Sequence, residues 1–60
     1  MTKVFEIIET NVRAEVQTVE EKYYFVSAVV KKNGSIVSMH KEVDSLSEAL
    51  YELSEFTKEI

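Results

Sequence analysis

The dipeptide Asn33-Gly34 separates two segments rich in apolar residues, and it constrains the fold more than any other feature of the chain. Both residues adopt positive φ readily, as the type I′ turn of a two-residue β-hairpin requires. In such a hairpin Lys32 lies opposite Ser35, and the register of both strands is then fixed. The predicted pairs are Val30–Val37, Ala28–Met39, Val26–Lys41 and Tyr24–Val43 on one face, with Lys31–Ile36, Val29–Ser38, Ser27–His40 and Phe25–Glu42 on the other.

The two faces of this hairpin differ in polarity. The first is almost entirely apolar, and we predict that it forms the core of the protein. The second combines polar residues with four large apolar or aromatic ones, namely Tyr23, Phe25, Val29 and Ile36. A contiguous apolar patch of this kind is typical of a surface that contacts a second copy or another protein, unless the rest of the chain covers it.

The segment from Asp44 to Ile60 has the pattern of an amphipathic helix. Ser45 and Glu48 have the spacing of a capping box, which marks a helix N-terminus. The apolar residues that follow recur at helical spacing and are Leu46, Ala49, Leu50, Leu53, Phe56 and Ile60. We expect this stripe to pack on the apolar hairpin face, because each surface needs a cover.

The first 22 residues permit two interpretations. Residues 12–19 alternate between apolar and polar types and are rich in valine, which is typical of a strand. A turn at Thr10-Asn11 would pair residues 3–8 with this strand and bring together Phe5–Val16, Ile7–Ala14 and, unfavourably, Glu6–Glu15. A helix is the alternative, since Val4, Ile8, Val12, Val16, Val19 and Tyr23 also recur at helical spacing. We favour two strands, because valine is costly in helices and Thr10-Asn11 suits a helix interior poorly.

These elements predict an α+β fold in one domain spanning residues 1–60: a small antiparallel meander of three or four strands with a C-terminal helix packed on one face. A chain of 60 residues buries a small core, and its lack of cysteine excludes disulfides and thiolate metal sites. Association is the remaining way to gain stability, so we expect a homodimer or a tight complex with another protein.

The predicted helix carries an acidic face opposite its apolar stripe. Its acidic residues are Glu48, Glu52, Glu55 and Glu59, with Tyr51 among them. Like charges at this spacing repel one another, and on the helix Lys58 alone could relieve them. The acidic face is therefore either a binding surface for a basic partner, such as a nucleic-acid-binding protein, or a solvated face that aids solubility.

Direct binding of nucleic acid is the alternative function. Lys31, Lys32 and Lys41 lie in residues 23–41 beside three aromatic residues, a combination that can bind single strands by charge and stacking. The net charge of −4 argues against it, because phosphate repels an acidic protein. Lysines on hairpins also prevent sheets from pairing edge to edge.

Catalysis has little support in the sequence. Ser27, His40 and Glu42 share one face of the hairpin, but an open strand surface provides no pocket or oxyanion hole for a triad. No cofactor motif and no set of metal ligands is present. No apolar run is long enough for a membrane span, and the first ten residues lack the apolar region and cleavage site of a signal peptide, so we expect the protein to stay in the cytoplasm.

We therefore expect a non-enzymatic protein-binding module that occupies a partner's surface through its acidic helix face or its apolar hairpin face. Small, acidic proteins without cysteine are also found among the inhibitors made by phages and mobile elements. That parallel is an analogy of class and does not rest on a site.

Overall fold

The computed structural model of this chain describes residues 2–58, and Glu59 and Ile60 of the predicted helix lie outside the described residues. Four strands form one antiparallel sheet in the order of the sequence, and a helix follows them. The elements are β1 (Thr2–Ile8), β2 (Val12–Val19), β3 (Tyr23–Lys32), β4 (Ser35–Val43) and α1 (Leu46–Lys58). The predicted α+β meander is confirmed, and the helical alternative for the first 22 residues is wrong.

The register of the β3–β4 hairpin is the one that the Asn33-Gly34 turn predicts. Both turn residues have positive φ, at 51° and 81°, and every predicted cross-strand pair from Lys32–Ser35 to Tyr24–Val43 is present. The predicted pairs of β1 and β2 are present too, including Glu6 opposite Glu15. Strand pairing therefore gives each strand one face toward α1 and one face away from it.

A lysine offsets the unfavourable Glu6–Glu15 pair. The Lys3 Nζ lies 2.6 Å from a carboxylate oxygen of Glu6 and 3.2 Å from one of Glu15. The register of β1 shifts between Lys3 and Phe5. The hydrogen bonds to Glu6 and then Glu15 raise the pKa of Lys3 above its ordinary value, because both favour the ammonium form.

The turn between β2 and β3 has a less favourable sequence than the Asn33-Gly34 turn. The Lys22 amide donates to the Val19 carbonyl over 3.0 Å, and the two residues between them are Glu20 and Glu21. Their φ angles are 53° and 58°, in the left-handed region that residues with a side chain seldom adopt. This turn therefore stores backbone strain that the other hairpin avoids.

The helix α1 packs on one side of the sheet, against β3 and β4. Ala49 and Leu53 are its buried residues, and they join a buried cluster that includes residues of β2, β3 and β4. The buried residues of this cluster are Ala14, Val16, Val26, Ala28, Val43, Ala49 and Leu53, with Ile7, Tyr24, Met39 and Phe56 packed against them. Leu46 and Leu50, at the margin of the stripe, stay partly exposed. Within residues 2–58 no helix has the length and apolar character that a membrane crossing needs.

The helix begins with the predicted cap, although its second bond has a different partner. The Glu48 amide donates to the Ser45 Oγ over 3.2 Å, and the Ala49 amide donates to the Ser45 carbonyl over 3.0 Å, so Ser45 is the N-cap residue. In a capping box the Glu48 carboxylate would accept from the Ser45 amide. Here it accepts from the Asp44 amide over 3.4 Å, one residue earlier.

We expect Ser45→Ala to lower the free energy of unfolding by about 1 kcal/mol, because the Glu48 amide then loses its acceptor. Ser47→Ala is the matched control, since Ser47 is exposed and its hydroxyl lies 3.2 Å from the Ser45 hydroxyl without accepting from a helix amide among residues 2–58. Urea unfolding followed by circular dichroism measures both variants. Equal losses of stability in the two variants would contradict the assignment of Ser45 as the cap.

Candidate interaction surface

The side of the sheet opposite α1 forms a second surface, which we call the open face. Side chains alternate between the two sides of each strand, and those that point away from α1 lie on the open face. These residues are Lys3, Glu6 and Ile8 of β1, Arg13, Glu15, Gln17 and Val19 of β2, Tyr23, Phe25, Ser27, Val29 and Lys31 of β3, and Ile36, Ser38, His40 and Glu42 of β4. No element formed by residues 2–58 lies over this face, because the N-terminal segment extends the sheet.

Four large apolar side chains of the open face are exposed. The exposed fractions are 67% for Ile36, 62% for Ile8, 40% for Val29 and 37% for Phe25. Tyr23, at the end of β3, is half-buried. The predicted hairpin patch of Tyr23, Phe25, Val29 and Ile36 thus lies on the open face, and Ile8 extends it to β1.

Arg13 stands within this patch. In the register of the sheet it lies between Ile8 and Val29, and it is exposed. Among residues 2–58 no ion pair or hydrogen bond holds its guanidinium. Arginine beside aromatic and aliphatic side chains is a frequent composition at the centre of protein interfaces. Neither Arg13 nor Ile8 was predicted as a site residue, although the alternation of β2 already placed Arg13 outward.

A shallow depression lies on the open face between β1 and β3. Its volume is about 230 Å³, and Ile8, Arg13, Ser27 and Val29 contribute to its lining. The small side chain of Ser27 leaves this space between its larger neighbours. A depression of this size is wide enough for one side chain of a partner, and its lining combines apolar side chains with Arg13 and with the carboxylates of Glu6 and Glu15, which Lys3 pairs.

Ser27, His40 and Glu42, the residues that could suggest a catalytic triad, lie together but are not joined by the hydrogen bonds that a triad needs. Ser27 is directly opposite His40, as predicted, and Glu42 is the next residue of β4 on this face. The His40 ring lies against Phe25 instead, with ring centroids 6.2 Å apart and an angle of 30° between the planes. Within residues 2–58 His40 takes part in no hydrogen bond with Ser27 or Glu42. The histidine therefore adds aromatic surface to the open face.

The described acidic residues of α1 make hydrogen bonds or ion pairs with other residues of the same chain. Glu48 accepts the Asp44 amide, and Glu52 lies 2.6 Å from the Lys41 Nζ. The Tyr51 hydroxyl donates to Glu55 over 3.2 Å. Glu59 lies outside the described residues. The repulsion expected along this face is thus relieved by Lys41 of β4, and not by Lys58 as the sequence suggested.

The same contacts shift two pKa values. The hydrogen bond to Glu52 and its negative charge raise the pKa of Lys41, because both favour the ammonium form. The negative charge of Glu55 and its hydrogen bond raise the pKa of Tyr51, because both disfavour the phenolate. Both shifts move away from neutral pH, so Lys41 stays cationic and Tyr51 stays neutral under physiological conditions.

The three lysines of the hairpin do not form one surface. Lys31 lies on the open face, whereas Lys32 and Lys41 point to the helix side of the sheet. Tyr24 also points to the helix side and packs against the core. The basic and aromatic residues that suggested nucleic-acid binding are thus divided between two faces.

Comparison with family models, with curated proteins and with solved structures found no match to this chain. Among residues 2–58 no group of three or more acidic, histidine or cysteine side chains is arranged to hold a metal ion. The geometry of the open face is therefore the main structural basis for a functional proposal.

Proposed function

We propose that the protein is a non-enzymatic binding module that occupies the surface of a partner protein with its open face. The exposure of Phe25, Val29, Ile36 and Ile8 on the helix-free side of the sheet carries this proposal. Apolar patches of this kind usually mark sites of protein contact. Inhibition by surface occlusion is the simplest activity for such a module, because it needs contact area and no chemistry.

The chemistry of the open face indicates what the partner presents. Apolar side chains would cover Phe25 and Val29, and one of them could enter the depression above Ser27. Arg13 calls for a carboxylate, because its guanidinium is exposed and makes no ion pair among residues 2–58. A hydrogen-bonded carboxylate on arginine is geometrically specific. The partner is thus an apolar protein surface with an acidic residue near its centre.

The open face is a better candidate than the acidic helix face. Glu48 and Glu52 already have intramolecular partners, and a basic partner would have to compete with the Asp44 amide and Lys41. Binding through the open face should resist salt, because apolar burial supplies most of the affinity. Binding through the acidic helix face should weaken steeply as salt screens its charges.

We expect Phe25→Ser to weaken partner binding at least tenfold, since aromatic anchors dominate interface energies. The tagged chain captures its partner from lysate of the source organism or its host, and a titration of the purified pair gives Kd. Phe5→Ser is a matched control, because Phe5 is 38% exposed against 37% for Phe25 but lies on the helix side. Glu55→Gln is the control for the acidic face.

The pattern across the variants decides between the two surfaces. The open face is supported if Phe25→Ser abolishes partner binding at both low and high salt. Phe5→Ser and Glu55→Gln should then retain binding. Loss with Glu55→Gln, or full binding by a folded Phe25→Ser variant, would refute it. Circular dichroism verifies that each variant is folded.

A further inference from the structure

The two edges of the sheet differ in how well they could accept another strand. At β1 the register shifts between Lys3 and Phe5, and the charged residues Lys3 and Glu6 lie along the strand. Irregular register and charge are the common means of protecting an edge strand. At β4, nine residues from Ser35 to Val43 run in unbroken register with β3. The β4 edge is thus the long and regular one.

The hydrogen bonding of β3 shows which backbone groups of β4 point outward. The Lys31 amide donates to the Asn11 carbonyl over 2.9 Å, and so points toward β2. Lys31 is opposite Ile36, so this pair is not hydrogen-bonded and the amide and carbonyl of Ile36 point away from β3. By alternation the same holds for Ser38, His40 and Glu42. Among residues 2–58 no strand lies beyond β4 to receive these groups.

We propose that a second copy of this chain binds the β4 edge, with the two β4 strands antiparallel about a two-fold axis at Met39. The two four-stranded sheets then form one continuous sheet. In this register His40 is opposite Ser38 of the second copy, and Glu42 is opposite its Ile36. Every outward backbone group from Ile36 to Glu42 finds a partner, which no shifted register achieves.

The side chains of β4 are compatible with this register. Lys41 would lie opposite Val37 of the second copy, and no charge would lie directly opposite a like charge. The aliphatic stems of Lys41 and Glu42 would cover Val37 and Ile36, which are exposed in the single chain. Glu52, which contacts this edge strand, is already paired with Lys41 and so adds little repulsion at the junction.

A second copy of the chain suits the β4 edge because pairing of two β4 strands gives a closed dimer and not a longer assembly. The dimer would consume both β4 edges, and only the irregular β1 edges would remain at its ends. The core also favours added burial, since Val16 and Val26 are the largest fully buried side chains among the described residues. The dimer leaves Ile8, Phe25 and Val29 of the open face free on both copies and covers only Ile36 at its edge, so this inference does not depend on the proposed partner.

Cross-linking through an introduced cysteine tests the axis, and the chain has no cysteine of its own. In a non-hydrogen-bonded antiparallel pair the Cα atoms are about 4.5 Å apart, within the range of a disulfide. Met39→Cys should therefore form a disulfide-linked dimer in a glutathione buffer. Val37→Cys is the control, because the proposed register separates the two Val37 residues by roughly 13 Å along the strands.

Random collision would give the opposite order, since Val37 is exposed and Met39 is half-buried. Preferential cross-linking of Met39→Cys supports the proposed axis. Greater cross-linking of Val37→Cys, or equal amounts in the two variants, would overturn it.

The solution mass of the chain tests the dimer itself. Size exclusion with light scattering should give twice the mass of one chain at high micromolar concentration. Ser38→Pro should give a monomer, because it removes an outward amide and leaves the β3–β4 bonds in place. Ser38→Ala and Phe25→Ser should remain dimeric, which separates this inference from the proposed partner surface. A monomeric wild-type chain, or a folded Ser38→Pro variant that still dimerises, would refute edge pairing.

Discussion

Leu53→Ala should unfold most of the protein at room temperature. Leu53 is 4% exposed and is the one large buried side chain by which α1 packs on the sheet, since Ala49 is small. Truncation of a buried leucine costs about 2–5 kcal/mol, because apolar burial is reduced and a cavity remains. A core of this size supplies about 3–5 kcal/mol in total. Urea unfolding followed by circular dichroism should show a strongly reduced or absent cooperative transition.

Leu50→Ala is the matched control for this prediction. It makes the same change on the same helix, at a side chain that is 37% exposed. We expect a loss of less than about 1 kcal/mol, because less apolar surface returns to water and no closed cavity forms. Similar losses for Leu50→Ala and Leu53→Ala would contradict the way α1 is seated on the sheet.

Replacing Glu20-Glu21 by Asn-Gly should stabilise the protein. Both glutamates have left-handed backbone angles, and each residue of this kind costs roughly 1–2 kcal/mol relative to a residue that adopts them freely. The exchange removes only a weak ion pair, since Glu20 and Lys22 are 3.9 Å apart with both side chains 76% exposed. We expect a gain of about 1–2 kcal/mol, because glycine removes the cost at position 21 whereas asparagine keeps a side chain at position 20. This gain corresponds to a rise in Tm of roughly 5–15 °C for a domain of this size.

The reverse exchange at the other hairpin is the control. Asn33→Glu with Gly34→Glu should destabilise the protein by a similar amount. A side chain at Gly34 would meet no atom within 4 Å, so the cost comes from the backbone at φ +81° and not from a clash. If the Asn-Gly turn at residues 20–21 left Tm unchanged, the strain assigned to Glu20 and Glu21 would be wrong.

Much of the fold could be predicted from the sequence because local signals fix it. Asn33-Gly34 sets one hairpin turn, and the alternation of apolar residues then sets the register and the buried face. The Ser45 cap and the stripe through Ala49 and Leu53 set the helix and its buried side. Each signal depends on residues close in sequence, so no knowledge of distant contacts was needed.

Other features depend on contacts that sequence spacing does not show. The pairing of Lys41 with Glu52 joins β4 to α1, and it depends on where the helix lies on the sheet. The bridge from Lys3 to Glu6 and Glu15 depends on the register of β1 against β2. Ile8 and Arg13 could be placed beside Val29 on the open face only once the order and register of β1, β2 and β3 were known. The turn at Glu20-Glu21 could not be predicted from the sequence, because glutamate seldom adopts the positive φ angles that this turn requires.

The reactivity of a single cysteine on the open face tests the central claim most directly. Val29→Cys should be alkylated rapidly in the free protein and slowly once the captured partner is bound, because the open face is bare and then covered. Val30→Cys, one residue along β3 at a position 2% exposed, should react slowly in both states. Slow alkylation of Val29→Cys in the free protein, or rapid alkylation in the complex, would contradict the account.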